Sequence, residues 1–203
     1  MESAVVEGRV RVPHVPSPKQ LRSVRSTLLA SSRHGLEERG HLATYLQRLG
    51  SARDERLREA TMVTQWLSVD LATAHYAAAD ALELTEAELR EVGNVVGARL
   101  EGSLLGSLAR LARTSGVTPW TVLQRLERVW GRMYQGGSVA VFELAPKDAV
   151  IEVRRNPLAD LRYWRVALCG LMRGSTEIFA RSAHVSVEPQ KLPGTARYHI
   201  SWA

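Results

Sequence analysis

Few residues of this chain combine a type and spacing that could do chemistry. The one cysteine, Cys169, sits in the apolar run VALCGLM with no histidine beside it. Reactive thiolates need an electropositive, partly exposed setting, so Cys169 reads as a buried, inert thiol. The six histidines are His14, His34, His41, His75, His184 and His199, and no two stand at i, i+4. His184 and His199 fall on neighbouring strands of an expected hairpin and share its polar face. Two ligands do not close a zinc site and no third is evident, so no metal is expected. His75, in LATAHYAAAD, is the type of residue that can serve as a lone axial ligand; the plainer reading is a helix-surface or hydrogen-bonded core histidine. Glu86, Glu88 and Glu91 are first-turn acids of the kind a helix dipole favours. Asp54, Glu55 and Glu59 stand among arginines as a solvated face. No nucleophile elbow, Walker loop, dinucleotide fingerprint or H-E-x-x-H pattern occurs. No catalytic residue is named, which weighs against an enzyme; a small reductase or isomerase stays open.

The aromatic residues are the stronger lead. Aromatics make up only 6% of the chain, yet five of them are tryptophan. In TPWTVLQRLERVWGRMY, helical spacing puts Val122, Leu123, Leu126, Val129, Trp130, Met133 and Tyr134 on one stripe. Trp66, Tyr76, Trp120 and Trp164 can join it in space. These aromatics, with Trp130 and Tyr134, are the candidate lining of an apolar ligand pocket. A plain tryptophan-bearing core is the competing reading.

Elements must position these side chains. VVEGRVRV reads as a short strand and PHVPSP as an extended linker. Ser17 and Pro18 look like an N-cap and first helical position, starting a helix that runs to about Arg33, before Gly35. HLATYLQRL makes a second helix ending at Gly50, and ARDERLREA a third. MVTQWLSVD is ambiguous. Helix resumes at LATAHYAAADAL. Thr85 and Glu88 have the form of a capping box that opens a helix continuing to about Arg113. Thr118-Pro119 starts another, ended by Gly136-Gly137. The period then changes: SVAVFEL and AVIEVR alternate as a hairpin, a helix covers about 158–180, and AHVSVE and RYHISW form two more strands. The expected fold class is α+β, a helical N-terminal half packed on a C-terminal β-β-α-β-β antiparallel sheet subdomain. The expected divisions are 1–18 (strand and linker), 19–134 (helical) and 135–203 (sheet and helix), all within one domain.

Four glycines interrupt the helical stretch GNVVGARLEGSLLG, each costing about 1 kcal/mol against alanine. On a helical wheel Gly93 and Gly97 share a face with Leu100, Leu104 and Leu108, while Gly102 and Gly106 lie opposite. A helix apolar on two sides is buried. Gly170 and Gly174 repeat the device on the later helix. All six are read as close-packing positions; room for a ligand is the alternative.

Composition narrows the class. The net charge of +6 comes almost wholly from arginines scattered among acids, without the clustered basic face of a nucleic-acid binder. No apolar run is long enough to span a membrane. The N-terminus shows no signal-peptide pattern, and a single cysteine fits a reducing cytoplasm.

The path from Trp66 through LELTEAELREVGNVVGARLEGSLLGSLARLAR and TPWTVLQRLERVWGRMYQGG to NPLADLRYWRVALCGLMRG and YHISW carries a resemblance, over about residues 60–202. It resembles a family of uncharacterised myxobacterial paralogues of about 200 residues. It also resembles the wider fold of haem nitric-oxide/oxygen-binding and 4-vinyl-reductase-like domains. The resemblance implies a sensory or regulatory module with a pocket between its two halves. In the haem-binding members a histidine on the helix before the sheet holds the iron; the matching position here is Trp130, whose indole has no free lone pair. Their Tyr-x-Ser-x-Arg motif is also missing, since Tyr198-His199-Ile200-Ser201-Trp202 has the wrong place and spacing. Haem is therefore disfavoured and no cofactor is expected. The expected partner is a small apolar ligand or, alternatively, a protein or second copy of the chain.

Overall fold

The computed structural model describes residues 8–62, 64–100 and 117–203. Its elements are β1 (Arg9–Val12), β2 (Ser23–Arg25), α1 (Ser26–Glu38), α2 (Leu42–Leu49), α3 (Ser51–Met62), β3 (Trp66–Ser68), α4 (Val69–Asp80) and α5 (Glu86–Leu100). After these come α6 (Pro119–Leu123), α7 (Leu126–Met133), β4 (Tyr134–Gln135), β5 (Ser138–Ala145) and β6 (Asp148–Arg154). A 3-10 turn (Pro157–Asp160), α8 (Arg162–Glu177), β7 (Ala183–Val187) and β8 (Ala196–Trp202) complete the chain. The fold is α+β, and its C-terminal part has the β-β-α-β-β order. Gly102 and Gly106, and the expected end of the glycine-bearing helix near Arg113, lie outside the described residues. Among the described residues no helix is long and apolar enough to cross a membrane.

Five strands form one antiparallel sheet in the order β1-β5-β6-β8-β7. Alternation decides its faces. Val141, Ile151 and Tyr198 stand side by side across β5, β6 and β8, all buried on the inner face under α8. A smaller sheet, β3-β2-β4, knits the helical half to the start of the larger one. Gly136 makes the passage from β4 to β5 with φ +99°. A side chain there would also strike the Gln20 carbonyl.

The helical half departs from the sequence expectation at its start. A helix from Ser17–Pro18 to about Arg33 is expected; α1 begins at Ser26 and runs to Glu38. Ser17 has φ +48°, outside the extended range an N-cap takes. Residues 23–25 are claimed by the small sheet, where Val24 pairs with both Leu67 and Tyr134. Gly35, read as a stop, lies inside α1 against α5, where a Cβ would sit 3.0 Å from Val92 Cγ1. The expected helix of 119–134 is two short ones. They part at Gln124-Arg125, where the Arg125 N–H donates to the Val122 carbonyl and tightens the turn. The ambiguous segment supplies β3. The capping box forms: Glu88 N–H donates to Thr85 Oγ1, and the Glu88 carboxylate accepts from the Thr85 N–H at 2.8 Å.

Helices α5 and α8 cross at their glycines. A methyl group on Gly93 would collide with the Ala167 carbonyl, and one on Gly170 with the Arg90 carbonyl. Gly97 lies over Leu171, its Cβ position 3.5 Å from that residue's carbonyl oxygen. The N-terminus of α8 is held from the same side. Asp80, at the end of α4, accepts from the Tyr163 N–H at 2.8 Å and the Arg162 N–H at 3.2 Å. A carboxylate suits a helix N-terminus, which carries unpaired N–H groups and partial positive charge.

A candidate apolar ligand pocket

The stripe on α7 points inward as its spacing requires. Leu126, Val129, Trp130 and Met133 face a cavity of about 90 Å³, and Pro119, Val122 and Leu123 of α6 extend the same wall. Val139, Ile151 and Ile200 of the large sheet form the floor. Leu168, Leu171, Met172 and Thr176 of α8, with Phe179 beyond it, close the remaining side among the described residues. Two of the polar groups here are engaged within the protein. Trp130 Nε1 donates to the Gly136 carbonyl at 3.1 Å, and Thr176 Oγ1 donates to the Met172 carbonyl at 2.7 Å. The wall therefore offers dispersion contact and no free hydrogen-bond donor from those two residues.

A second, smaller space of about 30 Å³ adjoins it, sharing Tyr134, Leu168 and Leu171 as walls. Its described lining includes Ser32, Tyr76, Tyr163 and Trp164. Behind it runs a buried hydrogen-bond chain. Tyr45 Oη and His75 Nδ1 are 2.6 Å apart, His75 Nε2 and Ser32 Oγ 3.0 Å, and Ser32 Oγ and Tyr163 Oη 2.8 Å. Burial, aided by the charge of Arg33, pushes the His75 pKa down to about 3. The imidazole is thus neutral at ordinary pH, donating through one nitrogen and accepting at the other. Burial likewise raises the phenols of Tyr76, Tyr134 and Tyr163. All three are neutral.

The structure brings four of the six candidate aromatics to these spaces. Trp130 stacks on Tyr134 with centroids 4.2 Å apart, and Tyr134 meets Trp164 edge-on at 6.4 Å. Tyr76 reaches the smaller space from α4. Trp66 and Trp120 lie elsewhere. Trp66 is on β3 with the Arg25 guanidinium 4.1 Å above its ring. Trp120 turns away from its α6 neighbours; its N–H donates to the Pro146 carbonyl at 2.7 Å and its ring meets Trp202 at 5.2 Å. Local spacing does not separate these two from the others, because the small sheet and the β5–β6 turn that hold them are remote in sequence. No sequence signal singles out Ser32, Tyr45 or Tyr163. Their partners lie 30 to 131 residues away, and no motif links them.

Cys169, His75 and His199, weighed for nucleophile and metal chemistry, have partners within the fold. Cys169 is buried, its thiol pushed up to about 11 by burial, and it donates to the Arg165 carbonyl. His199 pairs with Asp148 at 2.7 Å. Among the described residues no three His, Cys, Asp or Glu side chains gather as metal ligands.

The fold is that of H-NOX domains. The chain is similar to the iron(II) unliganded H-NOX protein from K. algicida, at 14% identity and TM-score 0.60, covering 88% of this chain and 96% of that one. It is similar to a point mutant of T. tengcongensis H-NOX, at 14% identity and TM-score 0.56, covering 87% and 96%. It is similar too to the oxygen complex of an oxygen-binding H-NOX domain related to soluble guanylate cyclases, at 15% identity and TM-score 0.54, covering 87% and 94%. At such identity the likeness is one of fold.

Haem, which that fold implies, does not fit the residues here. Trp130 stands where the resemblance puts the iron's histidine, and its ring lies on Tyr134 with its N–H committed to Gly136. No His or Cys is among the described residues lining the larger cavity. Both nitrogens of His75 are engaged by hydroxyls. At about 90 Å³ the cavity is well below the roughly 300 Å³ at which pockets for drug-sized molecules begin. No curated protein matches the chain. Its sequence does match, over residues 20–203, the family described as protein of unknown function (DUF2378), and the chain belongs to that family.

Proposed function

We propose that this chain is a non-enzymatic sensory or regulatory domain that takes a small apolar ligand directly against the side chains of α6, α7, α8 and the sheet, without haem. The observation that carries the proposal is the cavity of about 90 Å³ whose Trp130 and Thr176 donors are already engaged internally. Such a space favours a molecule that brings apolar surface. A ligand there presses on α8, and α8 is notched into α5 at Gly93 and Gly170, so a shift of one helix is felt by the other. The unpaired, buried Cys169 supports a reducing, cytoplasmic setting.

Native mass spectrometry of the freshly purified protein, with a visible absorption scan of the same sample, tests this. The expected result is a small extra mass lost on denaturation, or saturable uptake of an added apolar probe, with no Soret band. A Soret band on a stoichiometric adduct would overturn the haem-free reading. Failure to take up any apolar probe would overturn the pocket itself.

A further inference from the structure

The smaller space differs in kind from the cavity beside it. Hydroxyl-bearing residues from four elements line it: Ser32 of α1, Tyr76 of α4, Tyr134 of β4 and Tyr163 of α8. Tyr76 is buried to 5% exposure, and among the described residues its hydroxyl has no hydrogen-bond partner. The rings of Tyr76 and Tyr163 lie 6.0 Å apart.

The buried chain behind the space has a direction. Neutral His75 donates through one nitrogen and accepts at the other. If Nδ1 donated to Tyr45, the Tyr45 O–H would have no acceptor among the described residues, fully buried and in neither cavity's described lining. A stranded buried donor is costly. Either polarity leaves one terminal phenol O–H over, and the opposite polarity puts it on Tyr163, which lines the space, where an entering acceptor can meet it. Tyr45 donates to Nδ1, Nε2 donates to Ser32, Ser32 donates to Tyr163, and the Tyr163 O–H is left free at the wall of the space. Tyr76 and Tyr163 are then two phenols of one small lining, beside Tyr134, whose hydroxyl is hydrogen-bonded to Trp164. Among the described residues no charged side chain lines it, so an anion would lack a counter-charge.

We infer that the ligand is a neutral carbonyl compound whose apolar body lies in the larger cavity and whose oxygen accepts from Tyr76 and Tyr163. The inference rests on the apolar-pocket reading and adds its recognition chemistry. A carbonyl oxygen has two lone pairs, which matches two convergent donors. The space of about 30 Å³ holds an oxygen or a water, not a larger group.

The test uses cyclopentanone against methylenecyclopentane, which replaces the oxygen by CH₂ at nearly the same shape. Dissociation constants are read from methyl NMR shifts of the full chain. Cyclopentanone is expected to bind about tenfold tighter, the scale of one or two net hydrogen bonds. Tyr76→Phe removes only a hydroxyl that has no partner among the described residues, so the fold is kept. It should cut the preference several-fold and leave methylenecyclopentane unchanged, and Tyr163→Phe should act in the same sense. Equal affinity of the two probes, or a preference that survives both substitutions, overturns the carbonyl inference and leaves the apolar pocket standing. Binding of neither probe to the unmodified chain overturns both.

Discussion

Gly93 on α5 and Gly170 on α8 form a reciprocal notch: each sits under a backbone carbonyl of the other helix, Ala167 for Gly93 and Arg90 for Gly170. No side chain fits between the helices at either point. The two glycine-bearing stretches, far apart in sequence, are therefore one contact. The same contact sets where α8 lies on the sheet, and so where one wall of the cavity stands.

Gly93→Ala and Gly170→Ala should each destabilise the protein by about 1–3 kcal/mol or more, since a methyl group there meets rigid backbone. Gly131→Ala is the control. It lies within α7 with nothing inside 4 Å of its Cβ position. It should be neutral or stabilising by up to about 1 kcal/mol through helix propensity. Urea midpoints at constant m-value check both.

His75 predicts an acid weakness. Its pKa falls from an ordinary 6.5 to about 3 on folding. The unfolded chain then binds more protons between those values, so stability is full above about pH 6.5 and falls as pH drops towards 3, by at most about 1.4 kcal/mol per unit. Glu88, Glu143 and Glu152, each held below the usual carboxylate range by its hydrogen bonds, add their loss only lower down. Urea midpoints between pH 7 and 5 should therefore slope downward. In His75→Gln that slope should flatten, even though the variant is less stable at neutral pH.

The α+β class, the β-β-α-β-β order and the stripe on 126–133 are legible in the sequence because each is a local periodicity. The alternation of Tyr198, Ile200 and Trp202 and the Thr85–Glu88 box are of the same kind. What escapes is set by remote partners. Residues 18–25 have helix signals, yet Ser23–Arg25 pairs with β3 and β4 across the fold. Asp80 caps a helix that begins 82 residues later. Tyr45, His75, Ser32 and Tyr163 form one chain from four helices, and nothing in the neighbourhood of any one names the next. Residue type alone marks the six candidate aromatics. Type does not tell Trp120, pinned to the Pro146 carbonyl, from Trp130, pinned beside the cavity.

Cys169 should be silent in the native state. Its thiol is buried and its pKa is about 11, so thiolate is scarce at pH 8 and a reagent has no path to it. A disulfide dye should register no reaction with the folded protein and one thiol per chain in denaturant. Rapid labelling under native conditions would mean that α8 lifts from the sheet.

Val139 separates folding from ligand uptake. It is buried on the sheet floor and lines the larger cavity. In a filled core, Val139→Phe would strain its neighbours by about 1–3 kcal/mol. Here the added ring carbons have a void to enter, so the cost should fall to the low end of that range. The same ring occupies the space a ligand needs, and uptake of cyclopentanone and methylenecyclopentane alike should be lost. Trp130→Ala acts the other way: it enlarges the cavity and should alter probe affinity more than the folded yield, despite a stability cost of about 3–5 kcal/mol. Near-normal stability with abolished binding in Val139→Phe would tie uptake to this cavity. Unchanged binding in that variant would move the ligand site elsewhere and remove the support for reading Trp130 as part of its wall.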